Sequence, residues 1–309
     1  MTLMNSCVGV LVLALVVASA ASGQSRFDPV AGLAKAAART TSLMVVQCNP
    51  YIGGKHPVSG DTGKVTWETA EAFARLLAKE CPQAAVIGEE EVIGLESARK
   101  MQGFLNRHTG GSWEHVFEEQ GVRDRGSGLA VHWRTDKATL VKRLGSVVID
   151  HLDNGYNLRF MGVVLAEKST GRPFGVFCGK LVWSGAEKGG KKVDEDDRVA
   201  EARTLKAWVR RVMAPYPSAP RIIPMDMNAS HGSRTFREMA LEYESDGSRL
   251  HTHSSLNRIF GHSIMLKRLD YIWYDSDAGS AKKGGFLAPA GRSEHFGSDH
   301  RAVWAPVRI

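Results

Sequence analysis

The chain has 309 residues, 43% hydrophobic and 24% charged, with 40 Lys and Arg against 33 Asp and Glu. That is long enough for two small domains or one large α/β unit, and no linker, internal repeat or low-complexity tract divides it, so a single domain is expected. The formal net charge of +7 favours polyanions such as nucleic acid or anionic lipid headgroups without giving specificity, and the four cysteines show no metal-ligand spacing.

In chain order, the first element is an uncharged run from Cys7 to Ala20 containing VGVLVLALVV, with small residues at Ala18-Ser19-Ala20 and Ala21-Ser22-Gly23. No Lys or Arg precedes it, yet the run is well short of the ~20 apolar residues that span a bilayer, so it reads as a cleaved signal peptide over 1–23. An N-terminal extension, 24–42, and a domain, 43–309, follow. The expected mature protein is a secreted monomer, extracellular or periplasmic, with no stable membrane insertion. Cys7 leaves with the signal peptide; Cys48, Cys81 and Cys178 remain, an odd number that cannot all pair within one chain. Cys48 and Cys178 lie in apolar runs and read as small buried residues.

Apolar, β-branched runs alternate with helical segments along the rest. Strands are expected at Leu43–Cys48, Ala85–Gly88, Leu129–Trp133, Ser146–Ile149, Leu158–Leu165, Phe174–Cys178, Arg221–Met225, Asp270–Tyr274 and Ala302–Val307, enough for two packed sheets. A helix is expected from an N-cap at Thr66, with Trp67, Ala70, Phe73 and Leu77 on one face and Glu68, Glu71, Arg75 and Lys79 on the other. Two more are expected at Leu95–Arg107 and Arg198–Met213. The Gly/Lys-rich stretch Ser184 to Lys192 reads as a loop.

Several strands end in polar groups: Asn49 after VVQC, Glu89-Glu90-Glu91 after AVIG, Asp226-Met227-Asn228 after RIIPM. Asp270 begins a strand in RLDYI, and Ser298-Asp299-His300 precedes the last one. Any one of these is ordinary turn or surface chemistry; strand ends that share a sheet, however, converge on one rim, where α/β proteins place ligands.

The succession resembles the endonuclease/exonuclease/phosphatase (DNase I-like) family: an Asn after the first strand, VIGEEEV for I-x-x-L-Q-E-V, PMDMN for G-D-x-N, RLDYIW for R-[IL]-D-Y-I and GSDHRAV for S-D-H-x-x-V. The match runs from Leu43 to the C-terminus, and RLDYIW with SDHRAV is its most specific part. The resemblance implies an α/β, four-layered sandwich of two mixed β-sheets flanked by helices, and phosphoester hydrolysis by a metal-assisted water. It implies Glu91 and Asn49 as ligands of Mg2+, or of Mn2+ or Ca2+, and leaves Glu89 and Glu90 unassigned. Asp226 would orient or activate the water, and Asn228 would hold a phosphate oxygen. Asp299 would hydrogen-bond His300 and fix its tautomer; Asp270 would sit beside them as a further carboxylate of the catalytic set, one that in this family often positions neighbouring groups.

The chain departs from the family's T-H-L pattern at Gly179-Lys180-Leu181, where Lys180 replaces a histidine. Lysine can neutralise phosphate but, with an ordinary pKa near ~10.4, is a poor proton donor at neutral pH unless desolvated. Asn228-Ala229-Ser230 is also an N-glycosylation sequon, expected to be unused inside a cleft. The favoured expectation is a secreted nuclease. The alternatives are a phosphodiesterase or phosphatase on lipid headgroups or small phosphoesters, and a binding module that kept the fold but lost turnover, the reading that Lys180 sustains.

Overall fold

The structure is a computed structural model and describes residues 41–49, 64–92, 94–120, 128–247, 252, 267–276, 284–287 and 300–309. The expected signal peptide and nearly all of the extension lie outside these residues.

Every expected strand forms. One sheet has the order β13-β14-β1-β2-β4-β3, built from β1 (Ser42–Cys48), β2 (Ala84–Val92), β3 (Trp113–Glu118), β4 (Gly128–Arg134), β13 (Gly285–Phe286) and β14 (Val303–Arg308). The other has the order β11-β12-β10-β7-β6-β5, built from β5 (Ala138–His151), β6 (Asn157–Glu167), β7 (Pro173–Lys180), β10 (Arg221–Asp226), β11 (Tyr243–Ser245) and β12 (Asp270–Asp275). Both are mixed: β1 runs parallel to β2 and β7 parallel to β10, while β14 and β12 return antiparallel beside them.

The two sheets pack face to face over one apolar layer that includes Val45, Val86, Trp133, Val163, Val176, Ile222, Ile272 and Val303. Helices α1 (Lys64–Glu80) and α2 (Gly94–His108) cover the first sheet through Phe73, Leu77, Met101 and Leu105. Helices α3 (Glu195–Met213) and α4 (Arg234–Ala240) cover the second through Leu205, Trp208, Val209 and Met239. This is the expected four-layered sandwich. Cys48, Cys81 and Cys178 are all buried free thiols.

Several boundaries differ from expectation. Helix α1 already runs at Lys64, so Thr66 sits inside its first turn and is not the N-cap, which requires non-helical backbone. Helix α3 begins at Glu195, because Asp194 caps it: its carboxylate accepts from the Asp196 and Asp197 backbone N–H groups, and Asp197 returns a bond to the Asp194 N–H. Ser146–Ile149 is part of a 14-residue edge strand whose charged positions, Lys142 and Arg143, face solvent. The stretch read as a loop contains a small hairpin, β8 (Glu187–Lys188) with β9 (Lys191–Lys192), whose turn is fixed by Asp153 accepting from the Gly189 and Gly190 N–H groups at 2.7 and 2.8 Å.

The sheets approach closely beneath the polar strand ends. A Cβ on Gly88 would stand 2.5 Å from Pro224 Cγ and 3.2 Å from Cys178 Sγ on the facing sheet. Gly88→Val is therefore expected to lower stability by ~3 kcal/mol, seen as a fall in the urea unfolding midpoint; an unchanged midpoint would show that this spacing is not tight.

Candidate functional site

Lys180 is paired in register with Asp226, and Asp226 with Asp270, so these three residues form one row across β7, β10 and β12 with their side chains on one face. From the other sheet, Gln47 and Asn49 stand at the end of β1, and Glu89, Glu90 and Glu91 at the end of β2. His300 precedes β14, which runs antiparallel to β1 and so starts at the same rim.

The row and the rim are bonded to each other. Lys180 Nζ donates to Glu91 Oε1 at 2.7 Å, and Asn49 hydrogen-bonds the same carboxylate. Gln47 Nε2 donates both to Glu90 Oε2 and to Asp270 Oδ1, each at 2.9 Å, bridging the two sheets. His300 Nδ1 lies 3.0 and 2.9 Å from the two Asp270 oxygens. The support beneath is polar too: Thr252 Oγ1 accepts from the Leu269 and Asp270 N–H groups, and Arg268 pairs with Asp246.

Among the described residues, Glu91 and Asn228 are the only non-glycines with positive φ, at 56° and 50°. Left-handed backbone at such residues is costly and concentrates at functional sites. It also breaks the strand alternation at Glu91. The three glutamates thus reach three environments: Glu89 pairs with buried His132 at 2.7 Å, Glu90 meets Gln47, and Glu91 meets Lys180.

Electrostatically the site is crowded with carboxylates. Burial, with Asp226 and Asp270 nearby, pushes Glu90 well above the usual carboxylate range. Burial and Asp270 push Asp226 up to about 7, against the pull of His300 and Lys180. Glu91 is held below its ordinary value in spite of burial, because Lys180, His300 and Asn49 stabilise the anion. Burial alone would push Lys180 down, but Glu91 and, more weakly, Tyr156 and Asp226 hold it above its ordinary value, so it remains an ammonium. One oxygen or nitrogen from each of Asp226, Asp270 and His300 lies within 4.8 Å of the others. Hard oxygen donors and excess buried negative charge fit a divalent cation such as Mg2+.

One expected contact is corrected, and one side chain gains a partner. Asp270, from the adjoining sheet, bonds His300, because the strand registers bring it directly against the ring; the expected bond from Asp299 lies outside the described residues. The Asn228 amide does not stand ready for phosphate. Its Nδ2 donates to Asp226 Oδ2 at 3.0 Å and to the Leu181 carbonyl at 2.9 Å, a fold-back made by its left-handed backbone. Those bonds also occupy the nitrogen to which a glycan would attach. Glu90 was named without a role, and Gln47, Thr252, Tyr156 and Trp183 were not singled out from sequence; Tyr156 and Trp183 place their rings 5.6 and 5.4 Å from Lys180 Nζ.

The segment following Lys180 rests on a buried acid. Glu201 accepts from the Val182 N–H at 2.9 Å, and burial, together with Asp150, pushes it up to about 9. A carboxyl raised in the folded state favours the fold at low pH and loses that contribution as pH rises from the ordinary carboxylate range to its folded value. Glu201→Gln is expected to match the wild type at acid pH and exceed it by about 2–4 kcal/mol near ~pH 8, measured by chemical denaturation across pH.

No protein-family model matches the chain, and a search of curated proteins finds no match. Solved structures do match. An endonuclease/exonuclease/phosphatase family protein from Bacteroides thetaiotaomicron is 15% identical with a TM-score of 0.66, covering 87% of this chain and 98% of that one. A mannosyl-6-phosphatase from the same organism is 15% identical with a TM-score of 0.66, covering 86% and 99%. The human Nocturnin catalytic domain, with a bound sulfate anion, is 17% identical with a TM-score of 0.57, covering 87% and 96%. With its two mixed sheets and their flanking helices, the chain has the fold of the endonuclease/exonuclease/phosphatase, DNase I-like family.

Proposed function

We propose that the chain is a metal-dependent hydrolase of phosphoric esters, and that its substrate is the phosphodiester of nucleic acid. The observation that carries this reading is the row Lys180–Asp226–Asp270, closed by His300 and facing Glu91 and Asn49 across the sheet junction. Glu91 and Asn49, with oxygens of the Asp226 and Asp270 carboxylates nearby, would hold the divalent ion. When bound, that ion supplies Lewis-acid charge neutralisation and a more acidic water.

The side chains do the rest. Asp226, gripped by the Asn228 N–H and Nδ2, is fixed in one orientation and aims or deprotonates the attacking water. With Nδ1 fixed on Asp270, His300 acts on the phosphoryl oxygen through Nε2. Lys180 adds fixed positive charge for the phosphate; held as an ammonium by Glu91, it does not act as the family histidine would in protonating a leaving group. Asn228 acts as a positioning residue.

The nucleic-acid preference is supported by the net charge of +7 and by exposed Lys191 and Lys192 on the β8–β9 hairpin, which packs on the same Asp153–Tyr156 turn that faces Lys180. A small phosphomonoester is the second reading, supported by likeness to the structure named a mannosyl-6-phosphatase. Export by the 1–23 segment completes the proposal. Supercoiled plasmid with and without Mg2+ tests it: Mg2+-dependent nicking abolished by EDTA is expected. Release of phosphate from sugar phosphates with plasmid intact would select the second reading, and metal binding without any turnover would leave only a binding module.

A further inference from the structure

We propose that Lys180 is a resident counter-cation of the metal site: its ammonium occupies the Glu91 carboxylate, so a divalent ion must displace it, and metal affinity is set by that exchange. The inference rests on the reading of Glu91 as a metal ligand and deepens it. It comes from three observations. The ion pair is short, 2.7 Å, and largely buried, with the two side chains 8% and 18% exposed. Lys180 is held at the site by its register with Asp226 in the neighbouring strand, so the ammonium cannot leave with its backbone. On its other side stand the rings of Tyr156 and Trp183, an edge-to-face pair 6.0 Å apart, each within cation–π range of Nζ.

The rings already flank the ammonium while it is bonded to Glu91, and they remain beside it when the carboxylate is taken. A unit positive charge on Glu91 repels a divalent ion strongly in a site so largely buried. Once the ion takes the carboxylate, the flexible lysine stem can swing Nζ toward the two rings, where its charge stays close enough to meet a substrate phosphate. The histidine that the family resemblance places here carries no permanent charge and would impose no such competition. Lys180 therefore trades metal affinity for a second cation in the site.

Calorimetric titration of Mn2+ into the full chain, without substrate, reads the exchange directly. Lys180→Met, close to lysine in length and suited to the aromatic surroundings, is expected to bind Mn2+ at least about tenfold more tightly than the wild type. In a Glu91→Gln background the same exchange should change affinity little, because the contested carboxylate is gone. Tryptophan fluorescence should shift as Mn2+ binds the wild type, and shift less in Lys180→Met and in Trp183→Phe; far-ultraviolet circular dichroism checks that each variant is folded. Unchanged or weaker Mn2+ binding by folded Lys180→Met, with the wild type binding, overturns the inference and leaves the hydrolase reading standing. Absence of Mn2+ binding by both proteins overturns the inference together with the metal dependence of that reading.

Discussion

Asp226→Asn is expected to lower kcat by about 10³-fold or more while leaving the protein folded. The substitution keeps the size of the side chain and one accepting oxygen for the Asn228 N–H, but it removes the carboxylate that is proposed to aim the water. Its amide would also face Asn228 Nδ2, donor against donor, and loosen that contact. Stability should move the other way from activity. Asp226 and Asp270 are buried carboxylates paired in register, and Glu90 stands beside both. Turning one of them into a neutral amide relieves repulsion, so in EDTA the melting temperature of Asp226→Asn is expected to equal or exceed that of the wild type. A site that concentrates like charge, and bends Glu91 and Asn228 into left-handed backbone, carries strain that a purely structural cluster would have lost. Plasmid nicking and thermal melts on the same preparations check both halves. Retention of more than about a tenth of wild-type activity would remove Asp226 from the catalytic set, since positioned acid–base groups contribute far more than that. A fall in melting temperature matching the fall in activity would make its role structural.

How much of this was legible in the sequence depends on where each residue's partners come from. Strands such as β1, β6, β7 and β10 announce themselves because both their faces are covered, one by the other sheet and one by helices, so nearly every position is apolar. The missed strands are of another kind. β3 reads WEHVFE and lies at a sheet edge, β11 and β13 are two or three residues long, and only Ser146–Ile149 was expected of β5, an exposed strand broken by register shifts around Gly145. Local patterns of that sort cannot be told from loop.

At the site, Asp226, Asp270, His300, Glu91 and Asn49 stood out as polar groups at strand ends, and Lys180 as a departure from the pattern of the family that the sequence resembles; the structure does bring them together. Pairing across the sheets was not legible. The resemblance implied Asp299 as a partner of His300, a contact outside the described residues, while Asp270, thirty positions away, bonds the ring without any local sign of it. Gln47 looked like an interior strand residue, and its bridge from Glu90 to Asp270 exists only because two sheets meet there. The run Glu89-Glu90-Glu91 gave no hint of three fates, since the turn at Glu91 that breaks the alternation is itself set by the tertiary environment.

The pairing of Asp270 with His300 leads to the second large effect. Asp270→Asn is expected to lower turnover by about 10³-fold, even though Asp270 is buried behind the ring and His300 itself is unchanged. A carboxylate accepting the Nδ1 proton would present Nε2, as a base or as part of an imidazolium, to the phosphoryl oxygen, the role proposed for His300. An asparagine offers either its oxygen, which keeps the tautomer but weakens the stabilisation of a positive ring, or its nitrogen, which turns the ring's proton to Nε2. Gln47 Nε2, which donates to the same carboxylate, favours keeping the oxygen toward itself and so turns the amide nitrogen toward the ring. If the two residues work as one unit, their losses should not add: Asp270→Asn combined with His300→Ala should be scarcely less active than His300→Ala alone. Additive losses over the double-mutant cycle would separate them, leaving Asp270 with a task of its own, such as holding the divalent ion. Mn2+ affinity measured on Asp270→Asn distinguishes these roles, because a residue that only steers His300 leaves the metal in place, while a ligand takes the metal with it.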